Sequence, residues 1–153
     1  MLFLLFELGA DRYALDASQI DEVLPLVAIR AVPQAPREIS GLFNLRGQPV
    51  PVVDLNQVTA GRPSTMRLST RIIVSRYNDR DGRARLLGLI AERVTDTVRR
   101  DPGDFVESGI TNPAAAYLGP VATTPGGMLQ RIDVAHLLPQ AISDMLFAAA
   151  DAR

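Results

Sequence analysis

Short apolar runs broken by glycine, proline, aspartate and asparagine recur along the whole chain. Valine, isoleucine and leucine in such runs favour strands and the breakers favour turns, so the pattern predicts a mainly β domain. Residues 2–8 read as a first strand, Gly9-Ala10-Asp11-Arg12 as a turn, and Tyr13-Ala14-Leu15 as a returning strand with Tyr13 and Leu15 on one face. Asp16 or Ser18 can cap a short helix running through Leu24, because Ile20, Val23 and Leu24 have helical spacing and Pro25 stops it. Residues 27–32 predict another strand. A helical turn near residues 37–40 then leads into a hairpin over residues 41–55.

The least apolar stretch, residues 57–70, reads as a connection between two lobes. Arg71-Ile72-Ile73-Val74-Ser75 opens the second lobe, residues 78–82 turn, and residues 85–91 form a largely apolar strand. Val94-Thr95-Asp96-Thr97-Val98 alternates as a half-buried strand does. Residues 101–114 predict an irregular excursion. Residues 117–122 and 128–132 form the arms of a hairpin closed by Thr124-Pro125-Gly126-Gly127. Residues 133–138 read as a capped helical turn, and Ala141, Ile142, Met145, Leu146 and Ala149 give the stripe of a final helix. There is also a weak internal echo, in which residues 50–55 and 129–134 each run from an apolar strand through an aspartate to an apolar residue.

Within the first hairpin, Arg46-Gly47 interrupts the apolar run, Gly47 can take backbone angles that a side chain resists, and Pro49 and Pro51 remove two backbone donors. The stretch Asn44-Leu45-Arg46-Gly47 followed by Pro51-Val52-Val53-Asp54-Leu55 resembles the signature of CheW-like proteins, adaptors that couple chemoreceptors to a histidine kinase in bacterial signalling arrays. Phe3-Leu4-Leu5-Phe6-Glu7-Leu8-Gly9, Tyr13-Ala14-Leu15-Asp16 and Ile20-Asp21-Glu22-Val23 match the family's opening in order and spacing. Residues 71–74, 88–94 and 128–134 fall where its later strands are expected. Two features depart from the pattern: Glu92 stands where an aspartate is common, and the loop at residues 78–85 is longer and more charged.

The resemblance implies a fold of two five-stranded SH3-like barrels around a shared core, with short helices and a C-terminal helix. The lobes expected are about 13–70 and about 71–132, with the N-terminal strand region open to sharing and residues 133–150 helical. It also implies that Arg46 pairs with Glu22 on the first helix, near a groove where the receptor tip docks. Arginine suits that role because its planar fork can hold a carboxylate and still present donors to a partner. Ile20, Val23, Leu42, Leu45, Val94 and Val98 would line the groove and receive an apolar helix face. Asn44 belongs to the same expected surface and closes the turn, while Asp54 is structural. The implied partners are the chemoreceptor's cytoplasmic tip and the kinase's regulatory domain, with self-association in arrays left open. The same module in a surface-sensing or pilus-motility pathway is an alternative, and a small-barrel ligand-binding domain is a more distant one.

Composition narrows the remaining choices. A chain of 153 residues is one ordinary domain or two small lobes. It has no cysteine, which excludes thiol catalysis, thiolate metal sites and disulfides together. A net charge of −1, with 16 arginines and no lysine among 17 acids, gives no global attraction to nucleic acid. His136, the one histidine, has no evident catalytic partner in its local sequence. Gly126-Gly127 lacks the lysine and hydroxyl of a phosphate-binding loop. No metal-ligand spacing is present, so a non-enzymatic protein without cofactor or metal is expected. The apolar opening, residues 1–6, falls well short of the roughly 20 residues that span a bilayer, which gives an expectation of a cytoplasmic protein without direct membrane insertion.

Overall fold

The computed structural model describes the backbone of residues 1–151 and the side chains of residues 1–147. Its strands are β1 (Leu2–Leu8), β2 (Asp11–Asp16), β3 (Ile20–Pro25), β4 (Ile39–Leu45), β5 (Gln48–Asp54), β6 (Arg71–Asn78), β7 (Ala84–Arg99), β8 (Leu118–Thr124) and β9 (Gly127–Ile132). The helices are α1 (Leu55–Ala60) and α2 (Gln140–Asp151). The long strand β7, at 16 residues, serves two sheets. Its first half pairs antiparallel with β6, from Asn78 opposite Ala84 to Arg71 opposite Ala91, and parallel with β5. Its second half pairs antiparallel with β1, from Glu7 opposite Glu92 to Leu2 opposite Arg99.

The first sheet therefore runs β3-β6-β7-β5-β4 and the second runs β7-β1-β2-β9-β8. Successive pairings are antiparallel, antiparallel, parallel and antiparallel in both. Each sheet is curled shut by one isolated bridge, Arg30 with Leu42 in the first and Val106 with Val121 in the second. The internal echo falls on equivalent places. Asp54 at the end of β5 accepts from the Asn56 amide and caps α1, and Asp133 after β9 accepts from the Ala135 amide and caps a single 3-10 turn.

Three apolar clusters fill this frame. One belongs to the first lobe, around Phe43, Val50, Val52, Ile72, Val74 and Ile90. Another belongs to the second, around Phe3, Ala14, Phe105, Ala122 and Leu129. The third crosses the seam, drawing Leu15 from β2, Leu55 from α1, Ile73 from β6 and Leu87, Leu89 and Val94 from β7. Each such fully buried aliphatic or aromatic side chain contributes about 1.5–3 kcal/mol, so the seam is a true core shared by the lobes.

Several expectations are corrected. The expected helix from residue 16 or 18 to Leu24 is one 3-10 turn, Ala17–Gln19, capped by Asp16, and then strand β3. Three apolar positions are too few to fix a period, and the β-branched Ile20 and Val23 fit the pleat beside β6. Residues 27–32 enter the sheet only through the Arg30 bridge. The helical turn near residues 37–40 is a tight turn closed by the Ile39 amide on the Pro36 carbonyl, and β4 starts at Ile39. Residues 55–60, partly placed in the connection, form α1, which ends on Gly61 at φ 73. The two strands expected over residues 85–91 and 94–98 are one strand. The pairing also crosses the expected boundary at residue 70, because β6 and half of β7 join β3–β5 while β1 and β2 build the second sheet. The final helix forms as expected, with Ile142 and Leu146 packed on the seam cluster and Met145 exposed. Ala149 of the expected stripe lies outside the described side chains.

Closure of the first barrel depends on Gly41. Its φ is +145, and a Cβ built there would sit 2.1 Å from the Arg30 carbonyl oxygen, which accepts from the Leu42 amide at 2.9 Å. Gly41→Ala is expected to cost about 2–4 kcal/mol through backbone strain and steric overlap, lowering the melting temperature by several degrees. Calorimetry checks it, and an unchanged melting temperature would mean that the bridge is dispensable.

The β6–β7 loop is organised by one carboxylate. Asp79 Oδ1 accepts from the Asp81 and Arg83 amides, both at 2.9 Å, and Oδ2 accepts from Arg85 Nε at 2.8 Å. The Arg85 hydrogen bond holds this carboxyl below its ordinary value of 3.8 despite some desolvation. Since the folded value lies below the unfolded one, the stabilisation is complete above pH 3.8 and is lost as pH falls through the lower folded value. Asp79→Asn should therefore melt below the wild type at neutral pH, with the gap closing below pH 3.8 in thermal scans.

Candidate functional site

The β4–β5 hairpin turns in two residues, and both have positive φ, Arg46 at 49 and Gly47 at 90. That pairing of angles belongs to the type I′ turn, which matches the twist of the flanking strands and normally carries Asn-Gly. The Asn44 side chain closes it, its Oδ1 accepting from the Gly47 amide at 2.7 Å. Arginine at the first position is thus held in a conformation that side chains rarely take. From there it reaches across to β3. Arg46 Nη2 donates to Glu22 Oε1 at 2.6 Å and Nη1 donates to Oε2 at 3.4 Å, a two-pronged pair. The guanidinium remains open to solvent, with the Arg46 side chain 72% exposed and that of Glu22 29%. The hydrogen bond and charge of Glu22 together raise the Arg46 pKa further above its ordinary value, so the cation is permanent.

The expected partners Arg46 and Glu22 are thus brought together, although Glu22 stands on a strand and not on a helix. Asn44 is exposed on the same hairpin. Ile20 and Val23 on β3 are half-buried against the seam cluster, and Leu42 on β4 is half-buried. Leu45 and Val94 are 7% and 2% exposed, which makes them core and removes them from any open surface. Val98 packs on the second lobe's own cluster.

Beside the hairpin lies a cleft of about 470 Å³ whose walls include Ile29, Arg30, Leu42, Phe43 and Pro49. Ile29, Arg30 and Pro49 were not among the expected site residues. The apolar run of residues 27–32 was the signal for Ile29 and Arg30, hidden because only Arg30 pairs with the sheet, and Pro49 stood in the hairpin signature itself. His136 has a partner that local sequence reading overlooked, Asp133 Oδ2 at 2.6 Å from Nδ1, but the dyad sits after β9, away from this hairpin. Asp54 is structural as expected. Its carboxylate is 4% exposed and also holds Ser64, accepting from the amide at 2.8 Å and the hydroxyl at 2.6 Å. Among the described residues no group of His, Cys, Asp and Glu could hold a metal ion, and no helix is long and apolar enough to cross a membrane.

A family model described as a CheW-like domain matches residues 2–141. The chain belongs to the CheW-like family. This is a family of non-enzymatic scaffold and adaptor proteins of chemotaxis. The chain is 28% identical over 142 residues to the chemotaxis protein CheW of Klebsiella aerogenes, an alignment covering 89% of this chain and 80% of that protein. It is 29% identical over 97 residues to the chemotaxis protein CheW of Helicobacter pylori, covering 63% of this chain and 56% of the relative. The crystal structure of the scaffolding protein TtCheW from Thermoanaerobacter tengcongensis superposes with a TM-score of 0.81 at 26% identity, over 95% of this chain and 92% of that one. The two-lobed, mainly β fold inferred from the signature is therefore that of a CheW-like protein.

The geometry at Arg46 sets stability against the exposed guanidinium. Arg46→Asn places the preferred residue at the first turn position, and an exposed ion pair returns little, so the melting temperature should rise by about 1–4 °C. Differential scanning calorimetry measures this. A fall would show that pairing with Glu22 outweighs the turn's preference.

Proposed function

We propose that this CheW-like chain is a cytoplasmic adaptor that joins a chemoreceptor's cytoplasmic tip to the regulatory domain of a CheA-type histidine kinase. The observation that carries the receptor half is the placement of Arg46. A permanent cation stands on a rigid two-residue turn, oriented by Glu22 while most of it stays in solvent. An orienting pair of this kind spends little freedom on binding, because the fork is already aimed before a partner arrives. Half-buried Ile20, Val23 and Leu42 supply apolar surface on the two strands that carry the pair. A helix with an acidic or amide group beside an apolar stripe matches that combination. Val94 and Leu45 support the site from beneath as core. The kinase half rests on family membership and on a body with two separate barrels joined by a common core, able to offer two faces at once.

The test is binding of the purified protein to the receptor tip and to the kinase regulatory domain from the same genome, with Arg46→Ala and Glu22→Gln alongside. Arg46→Ala should weaken receptor binding by about tenfold or more, as loss of a central arginine anchor does, and leave kinase binding and cooperative melting intact. Glu22→Gln should show a smaller loss, since the arginine survives without its guide. Unchanged receptor affinity in Arg46→Ala would remove this turn from the interface. No binding of the wild type to either partner would end the coupling assignment.

A further inference from the structure

The charged β6–β7 loop that departs from the family pattern is in contact with the C-terminal helix. Residues 78–84 belong to the first lobe's hairpin, whereas α2 follows the 3-10 turn Val134–His136 at the end of the second lobe. The Phe147 ring stacks on Tyr77 with centroids 5.6 Å apart and planes at 26°, and Arg85 Cζ lies 5.5 Å above the same ring. One turn earlier on the helix, Asp144 accepts from Arg80 Nη1 at 3.4 Å and from Gln140 Nε2 at 2.7 Å. The Asp79 carboxylate gathers the loop around these contacts, bonding two of its amides and Arg85. Phe147 is 6% exposed and Ser143 1%, so this face of α2 is seated.

Beside these contacts lies a surface cleft of about 390 Å³, lined by Tyr77, Asn78 and Arg80 from the hairpin and by Tyr117, His136 and Leu138 from the second lobe. Tyr77, Tyr117 and Leu138 are at the same time buried in the seam cluster, so the lobes meet beneath it. At this edge α2 crosses from the second lobe to the first lobe's hairpin. A helix of 12 residues is barely stable alone in water, so α2 holds its shape through its seat. Its ion pair is solvent-exposed, with side chains 70% and 40% accessible, so the seat rests on one apolar face, Phe147 on Tyr77 with Ile142 and Leu146 against the seam cluster. An element held along one face can open locally below the global unfolding free energy.

We propose that α2 is an interlobe strap: docked on the β6–β7 loop it stiffens the two barrels relative to each other at this edge, and released it loosens this edge while the shared core still holds them. The loop's extra charge then has a purpose, since Asp79 shapes the seat and Arg80 and Arg85 grip the helix. A protein that presents faces on two lobes would pass strain between them when strapped and lose that stiffness when unstrapped.

The chain has no cysteine, which makes paired spin labels clean. Labels at Asp81→Cys on the hairpin and Glu107→Cys on the second lobe report the separation of the two lobes at this edge, and hydrogen exchange of the full-length protein reports the strap. The two are compared in the wild type, in Phe147→Ala, and in Arg80→Glu, which changes an exposed side chain and spares the core. The strap requires one narrow distance distribution and protected amides over residues 142–147 in the wild type. In the variants it requires at least tenfold faster exchange in α2, a broadened distribution, and unchanged protection in β1, β2, β4 and β5. If Phe147→Ala loses protection throughout, the decision falls to Arg80→Glu. Unprotected α2 in the wild type, or fast α2 exchange with the distribution still narrow, would overturn the strap.

Discussion

A strand that starts in one barrel must leave it before it can enter another, and β7 has to do this without a break in the chain. The right-handed twist of a sheet carries a strand around its own barrel, so the exit needs a local change of backbone. It comes at Arg93, whose φ of 48 lies outside the strand region, opposite the register shift between Leu5 and Glu7 on β1. The change leaves polar groups to satisfy. The Val94 amide finds the Ser69 carbonyl at 3.0 Å, and the Arg93 side chain meets Glu7 at 3.2 Å across the seam. Leu87, Leu89 and Ala91 before the kink and Val94 just after it all point into the cluster between the lobes. The kink therefore sits on the seam cluster, and the lobes are bound to each other by the same residues that bind each strand to its sheet.

This constraint explains what the sequence could and could not disclose. The apolar run of residues 2–8, the turn chemistry of Arg46-Gly47 and the caps at Asp54 and Asp133 are local facts, and each shows as local structure. The continuity of β7 is not local. Glu92-Arg93 looks like a break because two charged residues interrupt an apolar run, yet they mark the crossing point between sheets. The helix expected before Pro25 failed for a related reason. Ile20, Val23 and Leu24 have helical spacing, but their pairing with Ser75, Ile73 and Ile72 of β6 supplies ladder bonds that no local pattern announces. The division of the chain near residue 70 failed with it, since parallel pairing of β5 with β7 links segments more than thirty residues apart. At the site, the Arg46–Glu22 pair was legible through a signature. The demotion of Leu45 and Val94 to core was not, because burial depends on the partner strand.

The two barrels repeat one pairing scheme, so each position in one has a counterpart in the other, and the counterparts can be compared as internal controls. Asp54 and Asp133 are alike in role: each ends its strand and caps the turn beyond it. Their likeness marks them as parts of the scaffold. The hairpin tips differ. In the second lobe the tip passes through Pro125-Gly126 and puts its positive φ of 108 on Gly127, a residue that takes this angle without strain. Its Thr124 hydroxyl is tied inward, accepting from Arg12 Nη1 at 3.0 Å and donating to the Gly127 carbonyl at 2.7 Å.

In the first lobe the equivalent tip puts its first positive φ on an arginine and sends that side chain outward to a carboxylate on a neighbouring strand. The barrel does not demand this, since its twin closes the same hairpin on relaxed residues. Arg46 thus carries a backbone cost that barrel closure does not impose, and the proposed receptor contact would give that cost a use. The same comparison applies to the ends of the lobes. In the first, the segment after α1 returns through Ser64, fixed by Asp54, into β6. In the second, the segment after the 3-10 turn becomes α2 and crosses to the other lobe's hairpin. Where the two lobes part company, at the Arg46 turn and at α2, the chain departs from what barrel closure requires, so the closing of a barrel does not account for either feature.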